Sequence, residues 1–230
     1  MSTWVNVCRY HLIDRTTFTV TPWVILAFIF GVNLAVAAAI PPGANGKDAV
    51  SGTLFGFYFL FGALWAVTAR SLPFGLALGV SRRSYFTGSL LLCLSLAVGN
   101  GLVLAVLQVV EGATGGWGLG VHFFRMPHNL AGPWTLNWLT SFTALALMSA
   151  YGMWSGMIYR RWNHIGLLIF AAAHIIVLLT AVLIVTWTHA WPHLAHLLTT
   201  LTPAGLTGFL ALLAAAMFAG SYATIRHVTV

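Results

Sequence analysis

The sequence predicts an all-α membrane protein with six transmembrane helices, a short N-terminal interfacial helix and both termini in the cytoplasm. Of its 230 residues, 60% are hydrophobic and only 6% are charged. A soluble domain carries about 25% charged residues, so most of this surface must face lipid. Ten tryptophans agree with that, because indole favours the membrane–water boundary. The net charge of +7 therefore reports topology and does not indicate a nucleic-acid partner.

Six stretches are long and apolar enough to span, since a span needs about 20 mostly apolar residues. Their runs are continuous, whereas the strands of a membrane barrel alternate, so helices are predicted. They make up a domain over 21–230, and they run from about Pro22 to Ile40, Gly52 to Ala69, Ser89 to Val110, Leu136 to Tyr159, Ile165 to Trp187 and Ala204 to Tyr222.

The basic residues predict the orientation, because arginine and lysine are in excess on cytoplasmic loops. With six spans, eight arginines fall on one side: Arg9, Arg15, Arg70, Arg82, Arg83, Arg160, Arg161 and Arg226. Only Lys47 and Arg125 fall on the other side. An odd number of spans would scatter this set, so the eight arginines and both termini are predicted to be cytoplasmic.

The N-terminal residues, 1–20, are too polar to span. Basic and apolar side chains are mixed there, which favours a helix lying in the interface over a frayed tail. No small-residue cleavage site follows a short apolar core, so no cleavable signal peptide is predicted. The two cysteines, Cys8 and Cys93, are predicted to be free thiols.

The cytoplasmic segment between the second and third spans, about 71–88, is amphipathic. Pro73 can open a short helix, Gly79 can end it, and Ser81 can cap the next helix. The segment is either a plain basic connector or a docking element for a cytoplasmic partner. The residues predicted to contact such a partner are Phe74, Leu76, Leu78, Ser81, Arg82, Arg83 and Tyr85.

The outer segment between the fifth and sixth spans, about 188–203, is predicted to form one or two short helices in the outer leaflet. His189, His193 and His196 could bind zinc or copper if they shared one helix face. Pro192 favours a helix start that leaves His189 outside it, so packing at the interface is the preferred interpretation and no metal is expected.

Three polar residues, Asn33, Asn100 and His174, fall near the middle of predicted spans. Polar groups at that depth usually face the bundle interior, where they form interhelical hydrogen bonds or line a translocation path. Glu111, at the outer end of the third span, is predicted to be a boundary residue.

Motifs for chemistry are missing from the sequence. It contains no phosphate-binding loop of the G-x-x-x-x-G-K-[ST] type, no H-E-x-x-H and no G-x-S-x-G, and it has only three carboxylates. The chain is therefore expected to be no enzyme, with no catalytic residue and no cofactor of its own. Nine histidines leave a haem-binding redox subunit as an alternative, although only His174 lies deep in a span.

The order of these elements resembles the permease subunits of ABC transporters of the ABC-2 type (type V exporter-like), in their small bacterial six-span form. An N-terminal interfacial helix, six spans, a coupling helix after span two and outer-leaflet helices before span six cover the whole chain. The local match runs from Phe74 to Gly88, FGLALGVSRRSYFTG, and is similar to the F-x-L-x-x-G-x-S-R-x-x-[FY] run of such permeases.

The resemblance implies a multi-pass protein of the bacterial cell membrane that pairs with a second permease chain. Each chain would dock a cytoplasmic ABC ATPase subunit, which holds the ATP and Mg, through about Leu72 to Tyr85. The path would lie at the dimer interface, and the cargo would be a lipid, drug or peptide for export. No nucleic acid is involved. A non-transporting scaffold or immunity-type membrane protein is the other alternative.

Overall fold

The computed structural model describes residues 20–40, 57–58, 61–63, 68–77, 79–125 and 130–227, which are helical and contain no strand. Six α-helices lie in these ranges: α1 (Thr21–Ala39), α2 (Thr68–Ala77), α3 (Arg82–Ala113), α4 (Trp134–Trp187), α5 (Trp191–Thr200) and α6 (Pro203–Ile225). A short π-helical turn, Gly116–Gly120, follows α3. The predicted interfacial helix over 1–20, most of the second predicted span, Cys8 and Leu78 lie outside the described residues.

Four helices, α1, α3, α4 and α6, are long and apolar enough to cross a membrane. Two of them, α1 and α6, match the first and sixth predicted spans to within a few residues. Helix α3 is longer than the third predicted span, because it begins directly after its capping residue, Ser81, and continues to Ala113. These helices confirm the all-α class and are those of a membrane-embedded protein.

The longest helix, α4, is a helical hairpin. Its 54 residues would measure about 81 Å if straight, more than twice the thickness of a hydrocarbon core. The backbone breaks at Asn163, with φ 55° and ψ −151°. The Tyr151 ring lies 5.6 Å from the Phe170 ring, although a straight helix would hold these residues roughly 28 Å apart. The two arms are therefore antiparallel, and the break falls between the fourth and fifth predicted spans.

The first arm of α4 runs parallel to α6. Near the start of both, the Thr140 and Thr207 hydroxyls lie 2.8 Å apart. Near the end of both, Trp154 Nε1–H donates to Thr224 Oγ1 at 3.1 Å. These two contacts hold the first arm of α4 against α6 near both ends of their shared length.

One end of the bundle collects the arginines. Arg82, the first residue of α3, donates from Nη1 to the Arg226 carbonyl oxygen at 2.9 Å, so α3 begins where α6 ends. The break in α4 lies at the same end, because its first arm runs parallel to α6. This arginine-rich end therefore holds Arg82, Arg83, Arg160, Arg161 and Arg226.

The opposite end is closed by α1 and the loop that follows α3. Trp23 Nε1–H, near the start of α1, donates to Asn100 Oδ1 at 2.8 Å. Phe30, further along α1, has its ring 5.0 Å from that of Trp117 and 5.2 Å from that of Phe123. Helix α1 therefore runs parallel to α3, towards its C-terminal end.

We expect Asn163→Gly to raise the free energy of unfolding by about 1 kcal/mol, because glycine adopts positive φ without the strain that a side chain adds. Asn163→Val is expected to lower it by at least as much, since β-branched residues tolerate this conformation least. Thermal unfolding of both variants in detergent measures the difference. Equal thermal midpoints for the Asn163→Gly and Asn163→Val variants would contradict the positive φ at Asn163.

Candidate partner-docking site

The turn between α2 and α3 is fixed by hydrogen bonds at both of its sides. Gly79 has φ 80°, and its N–H donates to the Leu76 carbonyl oxygen at 3.0 Å. The Val80 N–H donates to the Gly75 carbonyl oxygen at 3.0 Å. This pair of bonds is a Schellman motif, in which glycine relieves the strain of positive φ. The prediction that Gly79 ends the helix is confirmed.

The start of α3 is capped as predicted. Ser81 lies in extended backbone, and its Oγ accepts the Ser84 N–H at 3.1 Å. The predicted start of the preceding helix is wrong, because α2 begins at Thr68 and Pro73 lies inside it. Proline lacks only its own N–H, so within the first two turns it interrupts a single hydrogen bond.

Tyr85 holds α2 against α3. Only 1% of its surface is exposed, and its hydroxyl lies 2.6 Å from Ser71 Oγ. Its ring packs on Gly75, where an added Cβ would lie 3.2 Å from a ring carbon. The prediction that Tyr85 faces a partner is corrected accordingly, since its side chain points into the protein.

The other predicted contact residues form a surface at the arginine-rich end. Phe74 is 52% exposed, Ser81 and Arg83 are exposed, and Leu76 and Arg82 are half-buried. We call this set (Phe74, Leu76, Ser81, Arg82 and Arg83) the docking surface. Arg82 also bonds to the end of α6, so this surface is connected to both α3 and α6.

The charge at this end is unbalanced within the described part of the chain. The sequence has three carboxylates, and Glu111 is the one that falls in the described ranges. It lies at the C-terminal end of α3, and the five arginines lie at the other end of the bundle. The arginine-rich end therefore carries a positive potential that favours an anionic partner.

The three polar residues that were predicted near the middle of spans form hydrogen bonds in different parts of the bundle. Asn100 accepts from Trp23 and donates from Nδ2 to the Leu96 carbonyl oxygen, so it joins α3 to α1. Asn33 donates to the Ile29 carbonyl oxygen in its own helix. His174 Nδ1 lies 2.8 Å from the Phe170 carbonyl oxygen. None of these contacts joins one of the three residues to another. That they line one translocation path together therefore stays a prediction.

The outer segment forms one short helix, α5, which begins at Trp191. His189 precedes it with φ 51°, while His193 and His196 lie within it. The three imidazoles therefore do not share one helix face, as the position of Pro192 predicts. Across the described ranges, no group of three histidine, cysteine, aspartate or glutamate side chains is placed to hold a metal ion.

Glu111 lies at the C-terminal end of α3, as predicted, but its burial was not predicted. Only 2% of its surface is exposed. Its Oε2 accepts three hydrogen bonds at 2.9 Å: from Trp117 Nε1–H, the Phe123 N–H and the Phe124 N–H. The carboxylate thus anchors the loop that closes the end of the bundle. The signal was a Gly-rich stretch with three aromatic residues directly after a single acid.

The described helices are those of an all-helical, membrane-embedded protein, and its arginine-rich end is cationic. No family model, curated protein or solved structure matches the chain at a significant level. Its function is therefore argued from architecture and from the docking surface.

Proposed function

We propose that this chain is the permease subunit of an ATP-driven ABC exporter of a bacterial cell membrane, with six crossings and both termini in the cytoplasm. The observation that carries the proposal is the docking surface itself. An aromatic side chain, 52% exposed on Phe74, lies beside cationic residues on a turn that is capped at both sides. An aromatic side chain that becomes buried when the partner binds, with polar residues around it, is typical of a protein–protein hot spot.

The alternation of helix directions supports six crossings. Helices α1 and α3 run towards the closed end, the first arm of α4 and α6 run towards the arginine-rich end, and the second arm of α4 returns. A piece of the second predicted span is described at 61–63, where an added Cβ on Gly62 would lie 2.6 Å from the Met148 carbonyl oxygen. If the arginine-rich end faces the cytoplasm, the chain obeys the rule that cytoplasmic loops carry an excess of arginine and lysine.

In this proposal the ATPase subunit binds ATP and Mg, and α2, α3 and α6 of the permease transmit its movement. Closure of the ATPases on nucleotide pushes on the docking surface. The Ser71–Tyr85 contact keeps α2 and α3 together as one rigid piece. The bond from Arg82 to the Arg226 carbonyl then carries the movement into α6, so two spans shift together.

The exposed apolar surfaces support an apolar cargo and a second permease chain. The second arm of α4 is almost wholly exposed, with Leu168 at 68% and Val177 at 67%. Such a face contacts lipid or a second permease chain, and a path bounded by it suits a hydrophobic or amphipathic lipid, drug or peptide. Asn33, Asn100 and His174 remain the candidate polar groups along that path.

Photo-cross-linking from the docking surface tests the proposal. Phe74 is replaced by photoreactive benzoylphenylalanine and irradiated in native membranes. The expected adduct is one soluble ATPase that carries a phosphate-binding loop, and its yield should change when ATP and Mg are added. The matched control is the same replacement at Phe209, which is 62% exposed on α6 and should yield lipid adducts. Lipid adducts alone at Phe74 would contradict an ATPase partner.

A further inference from the structure

The break in α4 creates a second exposed basic element at the arginine-rich end. Arg160, Arg161, Trp162, Asn163 and His164 are all exposed. The Arg161 guanidinium carbon lies 4.2 Å above the centre of the Trp162 ring. We call residues 160–165 the hairpin tip. The ATPase-docking proposal does not use it.

We propose that the hairpin tip binds the phosphate headgroup of an anionic phospholipid. Arg160 and Arg161 are the headgroup ligands, and the first turns of the second α4 arm hold an acyl chain. This site goes beyond the proposed function and stands whether or not the chain docks an ATPase.

Charge complementarity is the first support. The tip presents two adjacent guanidinium groups, which suit phosphate because each offers several donors in a planar fork. The one carboxylate in the described ranges, that of Glu111, lies at the far end of the bundle and accepts its own three hydrogen bonds. A carboxylate or phosphate that pairs with these arginines therefore comes from outside the described part of the chain.

Continuity with an apolar face selects a lipid over an acidic protein. The surface directly after the arginines is apolar and open: Ile165 is 70% exposed, Leu168 is 68% and Ile169 is 64%. Trp162, 49% exposed, lies between the two regions, where indole is favoured at the headgroup level. A phospholipid presents an anion and an acyl chain in this same order, whereas a soluble acidic partner would leave the apolar turn uncovered.

The tip is held in shape before any ligand binds. The break at Asn163 brings His164 back against Tyr159, with ring centroids 5.1 Å apart. Gly166 is buried, and a side chain there would collide with the Trp162 Cβ atom. Because the turn is already fixed, little backbone ordering remains to oppose headgroup binding.

Lipid titration of the purified chain tests the site. Native mass spectrometry in a neutral detergent counts bound phosphatidylglycerol and phosphatidylcholine for the wild type and for Arg160→Gln with Arg161→Gln. We expect phosphatidylglycerol affinity to fall roughly fivefold per arginine, about 25-fold in all, with phosphatidylcholine unchanged. The matched control, Arg125→Gln, is compared with Arg160→Gln alone: it removes the same single charge from an exposed position at the opposite end and should leave the affinity near that of the wild type.

Three results would overturn the proposal. One is equal binding of the two lipids by the wild type. Another is an equal loss in the control variant, which would mean a diffuse charge effect. The third is displacement of phosphatidylglycerol from the wild type by inorganic phosphate at equal concentration, which would indicate a free-phosphate site. This competition needs no variant, so the proposal is testable even if the double variant fails to fold.

Discussion

Replacing Glu111 by alanine is expected to lower the free energy of unfolding by about 3 kcal/mol or more, because three buried donors lose one acceptor. The Trp117 indole N–H and the Phe123 and Phe124 backbone N–H groups all bond to Glu111 Oε2. Each unsatisfied buried donor costs roughly 1–3 kcal/mol. At about 2–4 °C per kcal/mol for a chain of this size, the thermal midpoint should fall by about 10 °C.

Glu111→Gln is the matched variant for that test, because its carbonyl oxygen still accepts at the same place. We expect it to lose about half as much stability, since it keeps the acceptor but gives up the charge that strengthens such bonds. Thermal unfolding in detergent and limited proteolysis between residues 114 and 125 measure the two effects. If alanine and glutamine were both as stable as the wild type, Glu111 would not anchor this loop.

Phe74→Asp combined with Arg83→Glu is expected to weaken ATPase binding by about thirtyfold or more. Loss of a single aromatic hot spot costs about 2 kcal/mol, and the reversed charge adds repulsion towards an anionic partner. Both side chains are exposed, so folding should be unaffected. Arg82 is a poorer choice, because it also bonds the end of α6 and its loss would mix structural with docking effects. The measurement is ATPase recovered with the tagged chain.

Two controls separate docking from folding in that experiment. Arg125→Glu reverses an exposed charge at the opposite end and should leave ATPase recovery unchanged. Tyr85→Phe removes the hydroxyl that contacts Ser71 and should lower the thermal midpoint without abolishing recovery. Full recovery with the Phe74→Asp and Arg83→Glu variant would place the ATPase contact elsewhere on the chain.

Much of the fold could be predicted from the sequence, because local rules determine it. A run of about 20 apolar residues is sufficient for a span whatever surrounds it, so α1 and α6 agree with their predicted bounds within a few residues. The caps at Gly79 and Ser81 were also predictable, since each depends on the residue itself and on neighbours a few positions away.

The remaining features depend on which face of one helix meets another, and sequence spacing does not determine that. Tyr85 lies two residues after Arg83 in the same motif, yet the turn of α3 between them points its side chain inward onto Ser71. The bond from Trp23 to Asn100 joins residues far apart in the chain. The burial of Glu111 was not predictable for the same reason, because its donors come from a loop whose path the sequence does not reveal.

Co-purification from native membranes is the measurement that tests the permease proposal most directly. A tagged chain, expressed at its natural level and extracted in mild detergent, is expected to bring down an ABC ATPase in equal amount, together with a second permease chain. The Phe74→Asp and Arg83→Glu variant should bring down the second permease chain without the ATPase. Recovery of the wild-type chain with no ATPase would contradict the account.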